Sequence, residues 1–118
     1  MTSRAGHYVR LNGKYIRDAE DLLATGDYSQ ASEKFCGAAA EIVKAAAAQR
    51  GTRLVAHKSI EAFVSKLDDE NPELNLLSDF ASAETLHVNF YEDWSPPEVV
   101  RKRAETVKRF IKKMERFL

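Results

Sequence analysis

The segment from Leu86 to Trp94 contains the residues best suited to ligand binding. It places His87, Asn89, Tyr91 and Glu92 within six residues, among aromatic and acidic neighbours. Imidazole, amide, phenol and carboxylate groups that converge on an apolar cleft can orient a bound small molecule. A histidine on an apolar helix face is often a hydrogen-bonded core residue, and a nearby tyrosine often only packs. Our hypothesis is a binding pocket lined by these four residues, and a packed core is its alternative.

A second candidate cluster spans residues 50–58, where Arg50, His57 and Lys58 surround a predicted loop. Cations at the end of a helix stabilise its negative C-terminal end, which is the structural interpretation of this cluster. We expect the third helix to begin just after Lys58, so that its N-terminus helps to hold an anion. Arg50, His57 and Lys58 are therefore included among the candidate ligand-binding residues.

Two catalytic or metal-binding possibilities are weak. Cys36 lies in the middle of a predicted helix among apolar residues, where an inert thiol is the usual outcome. Glu84 and His87 have the Glu-x-x-His spacing of half a carboxylate-bridged di-metal site. No second such pair exists, and no glycine-rich phosphate loop is present. We predict no catalytic residue, no metal and no cofactor.

The formal charge is balanced, with 18 Lys and Arg against 18 Asp and Glu, but it is unevenly distributed. Residues 59–97 carry one basic and nine acidic side chains, whereas residues 98–118 carry eight basic and three acidic ones. One interpretation is attraction between an acidic helical hairpin and a basic last helix; the other is a basic face for phosphates or nucleic acid.

Composition indicates an intracellular protein, for which we predict a cytoplasmic location and no membrane contact. The chain has one cysteine, which excludes an internal disulfide and suits a reducing compartment. No apolar run approaches the ~20 residues that a membrane span needs, and the first residues do not have the pattern of a secretory signal.

Apolar spacing of three and four predicts helices throughout the 118 residues. Gly26 and Gly51 are predicted helix stops, Asn71 a helix cap before Pro72, and Ser95 the cap of a full capping box. The apolar stripe of the fourth helix is Leu76, Phe80, Ala83, His87, Phe90 and Trp94. That of the last helix is Val100, Ala104, Val107, Ile111, Met114 and Leu118.

The short connections predict an all-α, up-and-down four-helix bundle with a short extra helix in the crossover. Residues 1–118 form one domain in this interpretation, and we expect residues 1–5 to be flexible.

Several motifs resemble those of the archaeal PaREP family, over most of the chain from about Ala19 onward. The matching segments are Gly26–Tyr28, Ala31–Lys34, Ala38–Glu41, His57, Leu86–Glu92 and Pro96–Glu98. The resemblance implies a small bundle akin to the HEPN superfamily and to the substrate-binding partners of minimal nucleotidyltransferases. Many HEPN proteins are metal-independent ribonucleases with an arginine shortly before a histidine, but His87 has no arginine between residues 54 and 100.

Three functional hypotheses follow. The first is a non-catalytic HEPN-like binding bundle that recognises a nucleotide, RNA or a nucleotidyltransferase-type partner protein. The alternatives are a metal-independent ribonuclease that uses His87 or the Arg50/His57 pair, and a helical protein-interaction adaptor. We also expect a homodimer, because Tyr91 or Trp94 at a helix end leaves aromatic surface that a two-fold contact would cover.

Overall fold

The computed structural model describes all 118 residues and contains five α-helices and no strand. The prediction of an all-α fold is confirmed. Two single 3-10 turns lie at Pro72–Leu74 and Glu115–Phe117. The helices are α1 (Ser3–Ala24), α2 (Tyr28–Gln49), α3 (His57–Glu70), α4 (Leu76–Glu92) and α5 (Pro97–Met114).

Helix α2 is the centre of the molecule and contacts each of the other four helices. Most of its buried residues are alanines, which allow neighbouring helices to approach closely and still fill the space between them. At Gly37 the approach is closest, because a Cβ atom there would lie 3.2 Å from the ring of Tyr15 in α1. The buried alanines of α2 are Ala31, Ala38, Ala39, Ala45, Ala46, Ala47 and Ala48.

The large core side chains come mainly from α4 and α5, which pack on the alanine face of α2. Phe80 and Phe110 are buried with their ring centroids 5.6 Å apart. Helices α4 and α5 run antiparallel: the Lys113 amine near the end of α5 donates to the Leu74 carbonyl just before α4. The predicted stripe of α5 is buried from Val100 to Met114.

The turn between α1 and α2 has the conformation that the sequence predicts. Gly26 has a positive φ of 83°, which favours glycine because a Cβ is strained there. The Asp27 carboxylate accepts a hydrogen bond of 3.1 Å from the Gln30 backbone N–H and caps α2. Gly51 lies just after the end of α2 and also has a positive φ, of 75°.

Three predicted boundaries differ from the structure. Helix α3 begins at His57 and so includes Lys58, which was expected to precede it. Asn71 and Pro72 begin a 3-10 turn instead of α4, which starts after Asn75 in the left-handed conformation (φ 54°). The residue before α5 is Pro96, without a side-chain cap, so the Ser95 capping box is absent.

The first residues of the chain are hydrogen-bonded to the rest of the fold. The Thr2 hydroxyl caps α1 by accepting a hydrogen bond of 3.0 Å from the Ala5 N–H, and Ala5 is fully buried. The Thr2 N–H donates to the Gln49 side chain at the end of α2. None of the five helices combines the length and apolar composition needed to cross a bilayer.

The close packing on α2 makes a direct prediction for Ala46→Leu. Leucine is nearly as helix-favouring as alanine, but its added volume has no space at a fully buried position of the core. We expect the free energy of unfolding to fall by about 1–3 kcal/mol, measured by urea denaturation. Ala62→Leu, at an exposed position of α3, is the matched control and should change it by less than about 0.5 kcal/mol. Equal effects of the two substitutions would contradict this account of α2.

Candidate functional site

The structure brings together two histidines that the sequence places in separate candidate clusters. His57 is the first residue of α3, and His87 lies near the end of α4. Their rings are stacked with centroids 6.5 Å apart and planes inclined by 19°. Because α3 packs on α4, one histidine from each of the two predicted clusters lies in the same site.

Each histidine is hydrogen-bonded to a glutamate from a different helix. His57 Nε2 lies 2.9 Å from Glu84 Oε2 of α4. His87 Nδ1 lies 3.2 Å from Glu33 Oε1 of α2. We call these four residues, with Glu61 of α3, the histidine–glutamate cluster. Three of the five helices contribute to it, so its geometry depends on their packing.

Two further groups show how strongly negative the cluster is. The carboxylate of Glu84, through a hydrogen bond and its charge, raises the pKa of Glu61. Burial, assisted by the charges of Glu33 and Glu84, raises the pKa of the Cys36 thiol to about 12. Cys36 is therefore a poor nucleophile near neutral pH, because only the thiolate is reactive. The surplus of carboxylates also makes this surface unfavourable for an anion.

The cluster lies on an open surface and does not form the predicted pocket. No cavity in the structure is lined by His87, Asn89, Tyr91 or Glu92. The imidazole of His87 is 43% exposed. The ring of Tyr91 meets it edge-on, with centroids 5.3 Å apart, and is itself exposed. The sealed core that was the alternative is also absent.

Asn89 is separated from the other predicted pocket residues, because it points into the core and is fully buried. Its Oδ1 accepts hydrogen bonds from the backbone N–H groups of Trp94 (3.0 Å) and Ser95 (2.8 Å). Its Nδ2 donates to Ser32 Oγ of α2 at 3.1 Å. Glu92, three residues further on, is exposed, so these two side chains do not converge on one pocket.

The buried stripe of α4 explains this arrangement. After Ala83 the buried face continues to Leu86 and Asn89, in steps of three, instead of to His87 in a step of four. His87 is thereby moved to the edge of the buried face. Trp94 lies beyond the helix end and is 67% exposed, so it is not part of the predicted apolar stripe.

Arg50 and Lys58 do not join the histidines in one anion site. The Arg50 guanidinium lies 3.4 Å from Glu70, the last residue of α3, and against the ring of Phe63. His57 is the first residue of that helix, about 20 Å from its far end. Lys58 is exposed and makes no ion pair.

A strongly basic groove lies near the end of α5, and we call it the α5 groove. It has a volume of about 400 Å³ and is lined by Arg109, Lys112, Lys113 and Arg116. Lys113 donates to Asp79 at 2.7 Å, whereas the other three are exposed and have no carboxylate within 4.0 Å. None of these residues was a candidate ligand-binding residue, although the excess of basic residues after residue 98 was the available signal.

Few of the basic side chains after residue 98 pair with carboxylates of the acidic segment 59–97. Lys113–Asp79 is the single ion pair between α5 and the acidic segment 59–97. Lys108 is paired instead with Glu20 of α1 and Glu105 of α5. Two of the eight basic side chains after residue 98 therefore form ion pairs, and most of the others are exposed.

Comparison with known proteins places this architecture in a defined fold and family. A crystal structure of a protein from Sulfolobus solfataricus has the same fold, with a TM-score of 0.78 and 24% sequence identity over 99% of this chain and 98% of that one. No curated protein matches the chain. The archaeal PaREP1/PaREP8 family matches residues 7–111, and the chain belongs to this family. The resemblance to the PaREP family is thus confirmed.

The contacts of Asn89 predict that Asn89→Ala destabilises the protein. It removes the acceptor of two backbone N–H groups and leaves them without a partner, so we expect the free energy of unfolding to fall by about 2–3 kcal/mol. Ser32→Ala removes the acceptor of Asn89 Nδ2 and a hydrogen bond to the Tyr28 carbonyl. It leaves the two backbone N–H groups paired, so it should have a smaller effect. The measurement is chemical denaturation of the two variants. An Asn89→Ala protein as stable as wild type would show that Asn89 does not hold the α4–α5 connection.

Proposed function

We propose that the protein is a non-catalytic, HEPN-like binding bundle that binds single-stranded RNA through the α5 groove. The up-and-down four-helix arrangement and the HEPN likeness belong to this proposal. The observation that carries it is the set of three exposed cations at Arg109, Lys112 and Arg116 without carboxylate partners. Clustered Lys and Arg side chains on one face supply most of the affinity for a phosphate backbone.

The choice of the α5 groove over the histidine–glutamate cluster rests on charge. A phosphate near His87 would meet the carboxylates of Glu33, Glu61 and Glu84, and Glu84 is already close enough to raise the pKa of Glu61. The three exposed cations of the groove present no such repulsion. Of the residues proposed from sequence, His57, His87 and Tyr91 are therefore assigned no phosphate contact.

Separation of the two sites also argues against a ribonuclease. Asp79 of α4 is paired with Lys113, which lines the α5 groove. His87 lies eight residues further along α4, or about 12 Å away. Phosphoryl transfer needs an acid–base pair and a cation at the same phosphate. The two stacked histidines supply a pair for this alternative, but neither Arg50 nor the basic groove supplies the cation there.

The proposal predicts salt-dependent binding of a labelled single-stranded oligouridine, measured by fluorescence anisotropy. With about three phosphates neutralised, the slope of log K against log salt concentration should be about −2. Combined substitution of Arg109, Lys112 and Arg116 by glutamine should weaken binding about tenfold or more at low salt and remove the slope. Each single substitution should reduce the slope by about 0.7.

The matched control removes three exposed positive charges elsewhere, with Arg4→Gln, Arg10→Gln and Lys66→Gln. Equal weakening by the two triple variants would contradict a binding site in the α5 groove, as would the absence of any binding by wild type. The RNA is recovered after incubation with a chelator present. Cleavage that His57→Ala and His87→Ala abolish would replace the binding function by the ribonuclease alternative.

A second candidate function is protein interaction, favoured by an exposed apolar edge at the end of α4. Val88, Tyr91 and Trp94 are 46%, 70% and 67% exposed. Large aromatic side chains are common anchors of protein interfaces, and a group of exposed ones often marks an interaction site. A homodimer, a nucleotidyltransferase-type partner or another adaptor contact would each cover this edge. Self-association would bring the acidic Glu92 and Asp93 of two copies together, which opposes it.

Trp94 reports on this edge directly, because it is the single tryptophan of the chain. If the protein is a homodimer through this edge, its fluorescence should shift to shorter wavelength as concentration rises, and light scattering should give twice the chain mass. Tyr91→Ser should prevent both changes, whereas Tyr8→Ser, on α1, should not. A mass and an emission spectrum that do not depend on concentration would exclude the homodimer.

A further inference from the structure

Three chemically different metal ligands meet where the histidine–glutamate cluster adjoins Cys36. Glu33 and Cys36 are three residues apart on α2, so their side chains lie on one face of the helix. His87 of α4 lies opposite them. One carboxylate oxygen of Glu33, Sγ of Cys36 and a ring nitrogen of His87 all lie within 4.8 Å of one another.

The distance between His87 and Glu33 is close to that between two ligand atoms of a tetrahedral zinc ion. With zinc–ligand bonds of about 2.0–2.1 Å to nitrogen and oxygen, the two atoms are about 3.3–3.4 Å apart. His87 Nδ1 and Glu33 Oε1 are 3.2 Å apart. A bound ion would replace the hydrogen bond between these two atoms. The longer bond to sulfur, about 2.3 Å, allows a larger distance from Cys36 to the other two atoms.

We propose that Glu33, Cys36 and His87 bind one Zn²⁺ ion, with water in the fourth position. The ion displaces the proton of the Cys36 thiol, which is released to solvent on binding. The mixture of thiolate, imidazole and carboxylate is typical of zinc, whereas magnesium and calcium prefer oxygen ligands alone. His87 is 43% exposed, so the side of the ion away from α2 is open to solvent. A site with three protein ligands and an open position can also accept a ligand atom from another molecule.

The surroundings favour a cation at this position over the neighbouring one. Glu84 and Glu61 add negative charge from α4 and α3 on the His57 side of the stacked rings. Their own group with His57 also has ligand atoms within 4.8 Å, but it lacks sulfur and two of its three residues are exposed. Glu84 is hydrogen-bonded to His57, and the negative charges of Glu61 and Glu84 attract the ion without binding it.

This site is independent of the proposed RNA binding, since no residue of the α5 groove takes part in it. It also revises the sequence argument against a metal. That argument required a second Glu-x-x-His pair. In the structure the further ligands beside His87 are instead a glutamate and a cysteine from α2.

The test uses cobalt as a coloured substitute for zinc, added to the reduced, metal-free protein. Cys36 is the one cysteine of the chain, so a thiolate-to-cobalt charge-transfer band can arise only from this residue. We expect one equivalent of cobalt to produce the band and one equivalent of zinc to abolish it. Glu33→Gln and His87→Ala should weaken zinc affinity about a hundredfold, by competition with a chromophoric chelator.

Two controls make the result specific. His7→Ala removes an exposed histidine from α1 and should leave the zinc affinity unchanged. In wild type, zinc should also slow alkylation of Cys36, which tests the site even if a variant does not fold. Absence of the band, or zinc affinity that falls for His57→Ala and not for His87→Ala, would overturn the proposal.

Discussion

The close contact of α2 with its four neighbours is the constraint on which the rest of the molecule depends. Most residues of its buried face are alanines, so the partners approach near enough for other side chains of α2 to reach them. Glu33 reaches His87 and Ser32 reaches Asn89 because α4 lies directly against this helix. Bulkier residues on α2 would separate these pairs. The packing of small residues therefore determines the geometry of the polar site on the surface.

The two ends of the antiparallel α4–α5 pair differ in charge and in chemistry. At one end, imidazoles are surrounded by carboxylates, and the nearby thiol stays protonated because burial and the neighbouring negative charges raise its pKa. At the other end, guanidinium and ammonium groups line a groove with little compensation. The formal net charge of zero conceals this separation. Composition alone is thus a poor guide to the partners of this protein.

The sequence predicts the helices well because apolar spacing is regular, and α5 is the clearest example. Errors arise where one pattern fits two geometries. Asn71 before Pro72 suits a 3-10 turn as well as a helix start, and the left-handed Asn75 that separates the two has no distinct signal. After Ala83 the apolar stripe of α4 can continue by three residues to Leu86 or by four to His87, and tertiary packing selects Leu86.

The candidate site was harder to predict than the fold, because it combines residues far apart in the chain. His57 and His87 are each noticeable in sequence, but nothing local indicates that α3 and α4 stack their rings. The amide side chain of Asn89 is of a type suited to ligand binding. In the structure it instead accepts hydrogen bonds from the backbone N–H groups just after α4. The cations of α5 are visible in the sequence as a charge excess, but only the three-dimensional structure shows which of them have no carboxylate partner.

Charge separation in a neutral molecule has a consequence for how it meets other molecules. Such a protein has a permanent electric dipole, with its positive pole at the far end of α5 and its negative pole around the glutamates. A polyanion exerts little net force on it at long range but does exert a torque. The protein would rotate before contact until the cations lead, and the two imidazoles would then face away, toward the solvent.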